Sequence, residues 1–284
     1  MTTTKPIMRA KNVGHSEVYE LITQSKVVVE NKMFENEIRT VAKQTLLDQS
    51  PKGDLFGVEI ISTEQKAKDG ASVLIADINE LNKYLVFETD LKGNAVHLVN
   101  YVDLGNKWYP IKEKIKDKYG RSAVMDQLFV EFEKSLALGE KSLLEAMQHK
   151  GLYGVLFSGI YAFNDGLQFE SKRVIKNLFG TLDLPLLIQH NTIAAWRDTS
   201  AVFNITGRGT IDEKVFKADE FQRMIRQMRD SFNLKVNLKV DYNEAYELRQ
   251  SDGWIKHAFQ TLKAEVPGIY LNETKHLLNL KKTA

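Results

Sequence analysis

Three arginines at a three-residue spacing, Arg223, Arg226 and Arg229, form the densest chemical feature of this 284-residue chain. On a helix that spacing lays a basic stripe along one side, able to grip phosphates or an acidic partner through charge-assisted hydrogen bonds. No aromatic platform of the kind that stacks nucleic-acid bases is interleaved with it, so it reads first as a solvated helix face. The six histidines (His15, His97, His149, His190, His257 and His276) are scattered, and none forms His-Glu-x-x-His or His-x-His, which leaves no sequence-local metal site. His97 and His257 each follow a glycine turn inside a predicted strand, where a surface or hydrogen-bonded histidine is ordinary. Gly207-Arg208-Gly209-Thr210 lacks both the third glycine of a dinucleotide fingerprint and the lysine of a phosphate loop, and reads as a tight turn between strands. Ser158 is not flanked as a nucleophile elbow requires, with Leu156 and Ile160 where glycines should stand. Glu131/Glu133 and Asp212/Glu213 read as solvated or helix-initiating charges, not an acid–base pair. Trp108, Trp196 and Trp254 could anchor a partner surface, with core packing as the default for each.

Composition excludes several chemistries outright. The chain has no cysteine, so disulfides, thiol nucleophiles and Cys-based zinc sites are impossible. Apolar, aromatic and charged fractions of 43%, 10% and 27% are those of a folded globular protein, not a disordered one. A net charge of +2 is too small and too dispersed to suggest nucleic acid as a partner. The first ten residues are polar and lack the apolar stretch of a secretory signal, which points to a cytoplasmic protein; loss of a leader would make it periplasmic or exported. The most apolar run, residues 152–163, is too short to span a bilayer and reads as a buried segment, so no membrane span is expected.

The elements that must position these residues are clearest in the last third. Val236, Leu238, Val240 and Tyr242 point one way and Lys235, Asn237, Lys239 and Asp241 the other. After a short break come Tyr246 to Leu248, a turn ending at Gly253, a strand from Trp254 to Leu262, the Pro267-Gly268 turn, and a last strand to Leu280, an antiparallel meander. Near the N-terminus, Tyr19, Leu21, Val27 and Val29 share one parity of a strand. Residues 31–49 fit a helix face or a strand in a long hairpin, with a lean to strand because residues 55–63 beyond the turn at 50–54 are clearly extended. A hairpin follows over 84–100. Trp108, Ile111, Ile115 and Tyr119 then define a helix face, and Val124, Leu128, Phe132 and Leu136 a second, broken near Gly139 and resuming at 141–149. Strands return from about Leu167 through 185–188 and 201–205, and one more helix, 218–232, turns Phe221, Ile225, Met228 and Phe232 inward.

This order predicts an α+β fold: a large, curved, mostly antiparallel sheet with helices packed on one face. Residues 1–14 read as a flexible arm and 15–284 as one domain, with a division into 15–120 and 121–284 as the alternative. The hairpins at 84–100 and 246–280 echo one another, each with an aromatic-led strand, a polar turn closing on glycine (Gly93, Gly253) and a returning strand. On those residues the chain resembles the curved-sheet domains of LolA-like bacterial lipoproteins, although it has no signal peptide and no lipobox cysteine. The resemblance covers about a third of the chain and implies a sheet whose concave face clasps a hydrophobic ligand or a protein segment.

The first functional expectation is a non-enzymatic protein-binding module, an adaptor, chaperone, immunity or assembly component of a bacterial system. Its partner would be another protein, a second copy of the chain included, contacted through Arg223, Arg226, Arg229, Trp254 and His257. No cofactor is expected. The second is a carrier of an apolar small molecule in a sheet–helix pocket. The third is an enzyme whose groups meet only in three dimensions, to be looked for where two histidines and a carboxylate share a cleft.

Overall fold

Two-residue periodicity dominates the chain, and in the computed structural model it becomes eleven strands among the described residues. The structure describes residues 8–29, 32–66, 80–120, 123–148, 151–179, 182–197, 200–228 and 237–281. The strands are β1 (Ser16–Val29), β2 (Lys32–Ser50), β3 (Gly53–Gln65), β4 (Tyr84–Thr89), β5 (Ala95–Leu98), β6 (Gln168–Phe179), β7 (Leu182–Arg197), β8 (Ser200–Ile211), β9 (Lys239–Arg249), β10 (Ile255–Val266) and β11 (Tyr270–Leu280). Among the described residues, five α-helices accompany them: α1 (Tyr101–Tyr119), α2 (Ala123–Ala137), α3 (Glu140–Met147), α4 (Gly151–Leu156) and α5 (Ala218–Met228).

All eleven strands lie in one antiparallel sheet, in the order β5-β4-β3-β2-β1-β11-β10-β9-β8-β7-β6. Two meanders meet where the first strand lies along the last, from Tyr19 opposite Leu280 to Val29 opposite Tyr270. The outermost strands, β5 and β6, are therefore consecutive in sequence, and the helical segment joining them must cross one face of the sheet. That topology is what puts α1–α4 on the inner face.

The sheet is strongly curled. On a flat sheet β11 and β6 would lie about 24 Å apart, five steps of roughly 4.8 Å. Yet the Tyr270 hydroxyl donates to the Leu178 carbonyl at 2.8 Å, and the Tyr270 and Phe179 rings sit 5.3 Å apart. The edge strand thus folds back over the concave face.

That concave face holds two separate apolar cores. The larger packs Tyr19, Leu21, Leu46, Phe56 and Phe87 of the sheet, with Trp254 from the β9–β10 connection, against Trp108 and Phe129 of α1 and α2. Its centre is the apolar run at 152–163, which forms α4 and the 3₁₀ turn Ile160–Asp165 and is buried as expected. The second core surrounds α5, whose Phe221 and Ile225 meet Ile175, Phe179, Leu184, Leu262 and Val266.

Most local readings hold, including the strand at β2, the face of α1 and the helix break at Gly139. In α2 the expected face is displaced at its start: among the described side chains Met125 and Phe129 are buried with Phe132 and Leu136 packed beside them, Leu128 is only half-buried, and the side chain of Val124 lies outside those described. Three readings need correction. Residues 8–14 are not loose: Ala10 is buried, the Lys11 amide donates to the Asp252 carbonyl at 2.9 Å, and Met8 exchanges two 2.8 Å hydrogen bonds with Asn164. Gly253 permits this docking, since a Cβ there would stand 2.4 Å from the Arg9 carbonyl oxygen. Gly207-Arg208-Gly209 is not a turn but the interior of β8, and the break expected after Tyr242 is continuous strand. Both have one cause, described next. Arg229, Phe232, Val236 and His149 lie outside the described residues.

Candidate functional site

Between the two cores the inward-facing positions change character. Reading straight across the sheet, Phe169 of β6 lies opposite His190 of β7, which lies opposite Gly207 of β8, and that opposite Glu244 of β9. The row continues through Gln260 of β10 and His276 of β11 to Thr23 of β1. Five of its seven members are polar and a sixth is glycine, on a face built mostly from apolar side chains. Arg173, on the inner face of β6, reaches into the same level.

Glu244 is the hub, with a side chain 0% exposed. Its Oε2 accepts from Arg173 Nη1 at 2.8 Å, from the Tyr242 hydroxyl at 2.6 Å and from Gln260 Nε2 at 3.3 Å, while Oε1 accepts from His190 Nε2 at 2.7 Å. Burial alone would raise the carboxyl pKa, but the Arg173 charge and the bonds from His190 and Tyr242 outweigh it and hold Glu244 down at about 2. Arg173 loses solvation by burial, yet the Glu244 carboxylate keeps it firmly charged. Arg173 Nη1 also donates to the Tyr242 hydroxyl, and burial pushes that phenol well above its usual range. The imidazole of His190 stacks on Phe169 with ring centroids 4.3 Å apart and planes 5° from parallel.

The glycines of β8 exist to make room for this network. A Cβ on Gly207 would lie 2.8 Å from Glu244 Cγ and 2.9 Å from His190 Cδ2, and one on Gly209 would lie 2.8 Å from Tyr242 Cδ1. Close approach of neighbouring groups is a standard reason for glycine inside a strand. The apolar alternation of β9 looks interrupted for the same reason: the inward position between Tyr242 and Tyr246 carries a carboxylate.

Beside the network lies a pocket of about 260 Å³. Arg173, Gln260, Asn272 and His276 present polar groups to it, and Ile175, Leu178 and Leu262 an apolar wall. A bulge shapes its rim. The β6–β7 register shifts between Ile175 and Phe179, with Asn177 at φ +55° and its amide donating to Asp183 Oδ1 at 3.0 Å. The bulge delivers Leu178 to Tyr270 at one rim of the pocket, which stays open to solvent. His276 bonds Thr23 Oγ1 through Nδ1 at 2.9 Å, and burial together with the Arg173 charge lowers its pKa to about 4, so the ring is neutral near neutral pH.

None of the residues expected to bind a partner lines this pocket. Arg223 and Arg226 are exposed on α5, and Arg229 is outside the described residues. Trp254 belongs to the core rather than the surface, its ring 6.0 Å from Phe56 and 5.4 Å from His15. His257 points away from its buried neighbour Ala258 and bonds Asn279 Oδ1 at 2.8 Å. His97 is a surface histidine 3.2 Å from Glu140. Ser158 is buried and donates to the Val155 carbonyl at 3.2 Å. Glu133 is more than a solvated charge, accepting from Trp108 Nε1 at 2.9 Å. Trp196, by contrast, is 79% exposed. Among the described residues, no three His, Asp or Glu side chains gather as a metal site would require, and no helix is long and apolar enough to cross a membrane. The sequence reading missed Arg173, Glu244 and Gln260 altogether and noted His190 and His276 only as scattered histidines.

No protein-family model matches the chain, and neither does the sequence of any curated protein. Among solved structures it is similar to one described as "Lipid-protein interactions in lipovitellin", with a TM-score of 0.48 and 11% identity, over 95% of this chain and 25% of that one. The chain thus spans a quarter of that protein's length, and at this level of likeness the match says nothing of what the chain binds.

Proposed function

We propose that this protein is a carrier of a small amphiphilic molecule, held in the pocket between the two cores. One observation carries the reading: a 260 Å³ space inside a curled sheet, aliphatic on one wall and hydrogen-bonding on the other. Close-packed interiors leave few voids larger than a water molecule. At about 30 Å³ per water, this space suits a ligand of roughly ten non-hydrogen atoms, at the small end of ligand pockets. The polar wall is fixed before a ligand arrives, because Glu244 and Tyr242 already hold Arg173. A ligand in the concave face is also what the LolA-like resemblance implies.

The experiment is native mass spectrometry of the gently purified protein, beside a Leu262→Trp variant whose indole fills the pocket. A co-purifying small molecule on the wild type and none on the variant, with matching circular dichroism, is the expected result. Equal loading of both proteins would remove the pocket from consideration.

A second reading has its own observation. Among the described residues β6 has no strand on its outer side, and Leu167, Ile193 and Trp196 are exposed near one end of it. An unpaired edge beside exposed apolar groups suits a protein partner, a second copy included. Arg223 and Arg226 are available to such a partner, whereas Trp254 is not. Loss of a binding partner or of self-association in Trp196→Ser, followed by analytical ultracentrifugation, is the outcome this reading requires.

A further inference from the structure

We infer that the ligand of this pocket is a monocarboxylate with a small apolar body, its carboxylate seated on Arg173 beside His276. The inference rests on the carrier reading and specifies the chemistry of the cargo.

The charges facing the pocket are one-signed. Arg173 and Lys176 line it, and among the described residues no aspartate or glutamate does. Glu244 sits behind Arg173, with its two oxygens already engaged by Arg173, Tyr242, Gln260 and His190. It offsets the cost of burying the guanidinium without entering the cavity. Lys176, at the rim, is held by Asp183 at 3.1 Å and Glu145 at 3.4 Å, both of them solvated. A cationic head would therefore meet two cations and no lining carboxylate.

Arg173 retains capacity for a ligand. A guanidinium offers five N–H donors in a planar fork, and among the described residues both hydrogen bonds of Arg173 leave from Nη1. The rest of the fork matches the paired oxygens of a carboxylate. His276 stands beside the seat: in the tautomer whose Nδ1 accepts from the Thr23 hydroxyl, Nε2 carries the proton and is a donor. Ile175, Leu178 and Leu262 cover the body of the ligand.

The test titrates the full-length protein with octanoate, octanamide and octylamine, followed by calorimetry at neutral pH. Octanoate is expected to bind about tenfold or more tightly than octanamide, a difference of about 1.4 kcal/mol, with octylamine not measurable. Arg173→Met alone leaves Glu244 buried and unpaired, so the companion variant is Arg173→Met/Glu244→Gln, which removes both charges. In that variant octanoate is expected to lose its advantage while octanamide still binds. Equal affinity for octanoate and octanamide, or a preference for octylamine, would overturn the inference and leave the pocket reading standing. Failure of all three to bind would overturn both.

Discussion

Removing Arg173 puts the buried network to its sharpest test. In Arg173→Met the Glu244 carboxylate, 0% exposed, keeps its hydrogen bonds from Tyr242 and His190 but loses its countercharge. Breaking a buried ion pair from one side costs roughly 3–5 kcal/mol, a fifth or more of the total stability of an ordinary domain. Glu244→Gln strands a guanidinium only 4% exposed and is expected to cost about as much. If the two effects were independent, the double variant would lose roughly 6–10 kcal/mol. Instead it strands no charge and forfeits only a few hydrogen bonds, about 2–4 kcal/mol. The double-mutant cycle should thus show an interaction of at least about 2 kcal/mol. Urea unfolding followed by tryptophan fluorescence is the assay, since Trp108 and Trp254 are both buried and report on the core beside the network. Additivity to within about 0.5 kcal/mol would refute the idea that these two side chains form one unit.

Two further outcomes follow from the same geometry. Stability should fall with acid in two windows, because a group whose pKa is depressed by folding stabilises above its unfolded pKa and loses that contribution as pH drops through the folded one. For His276, held at about 4 against an ordinary 6.5, the loss begins near pH 6.5, is on the order of 1–3 kcal/mol after allowance for partial exposure, and is absent in His276→Gln. For Glu244, held at about 2 against 4.5, the loss is about 3 kcal/mol, begins near pH 4.5 and is absent in Glu244→Gln; urea midpoints across the acid range read both. Gly207→Ala should destabilise by about 1–3 kcal/mol because its methyl group has no room beside Glu244 and His190, whereas Gly105→Ala in α1, with nothing within 4 Å, should stabilise by roughly 0.5–1 kcal/mol; equal melting shifts for the pair would contradict the packing argument.

What the sequence revealed was whatever a single element decides. Tyr19, Leu21, Val27 and Val29 of β1 share a parity because that face packs on the two cores, Tyr19 and Leu21 buried in one and Val27 and Val29 partly buried against the other, and a period of two records it. The helix face around Trp108 and the buried run at 152–163 were visible for the same reason. Residues 31–49 were ambiguous because their own pattern fits two periods; pairing with β1 from Val29–Lys32 to Ser16–Thr45 decides for strand, and that is a long-range fact. The site was illegible for a stronger version of this reason. Its members come one or two at a time from β6, β7, β9, β10 and β11, with His190 and Glu244 separated by 54 residues and Arg173 and Glu244 by 71. Each by itself looks unremarkable, or looks like a defect. Glu244 spoils an alternation and Gly207 with Gly209 signals a turn, and only when laid side by side does one account for the other. A strand-interior Gly-x-Gly was the single clue that pointed here.

The position of the polar row has a structural cause. Strands of 11 to 19 residues across the centre of the sheet make a trough too long for one plug. Helices α1–α4 fill one end and α5 the other, and α4 reaches the intervening level where Gln260 donates to the Gly154 carbonyl at 3.3 Å and where Gly151 lines the pocket. What remains must be filled by long side chains from the sheet itself. Arg173, Tyr242, Glu244 and Gln260 do so, and because they lie out of reach of bulk water they must satisfy one another. Such a row also fixes register. A one-residue slip of β9 would turn Glu244 to the convex face, strand Arg173 and His190, and bring Glu244's neighbours in the chain into the space that Gly207 leaves open. A gap that shape does not wholly fill, walled by a guanidinium held in place for another purpose, is how a fold of two plugs in one trough arrives at a binding pocket.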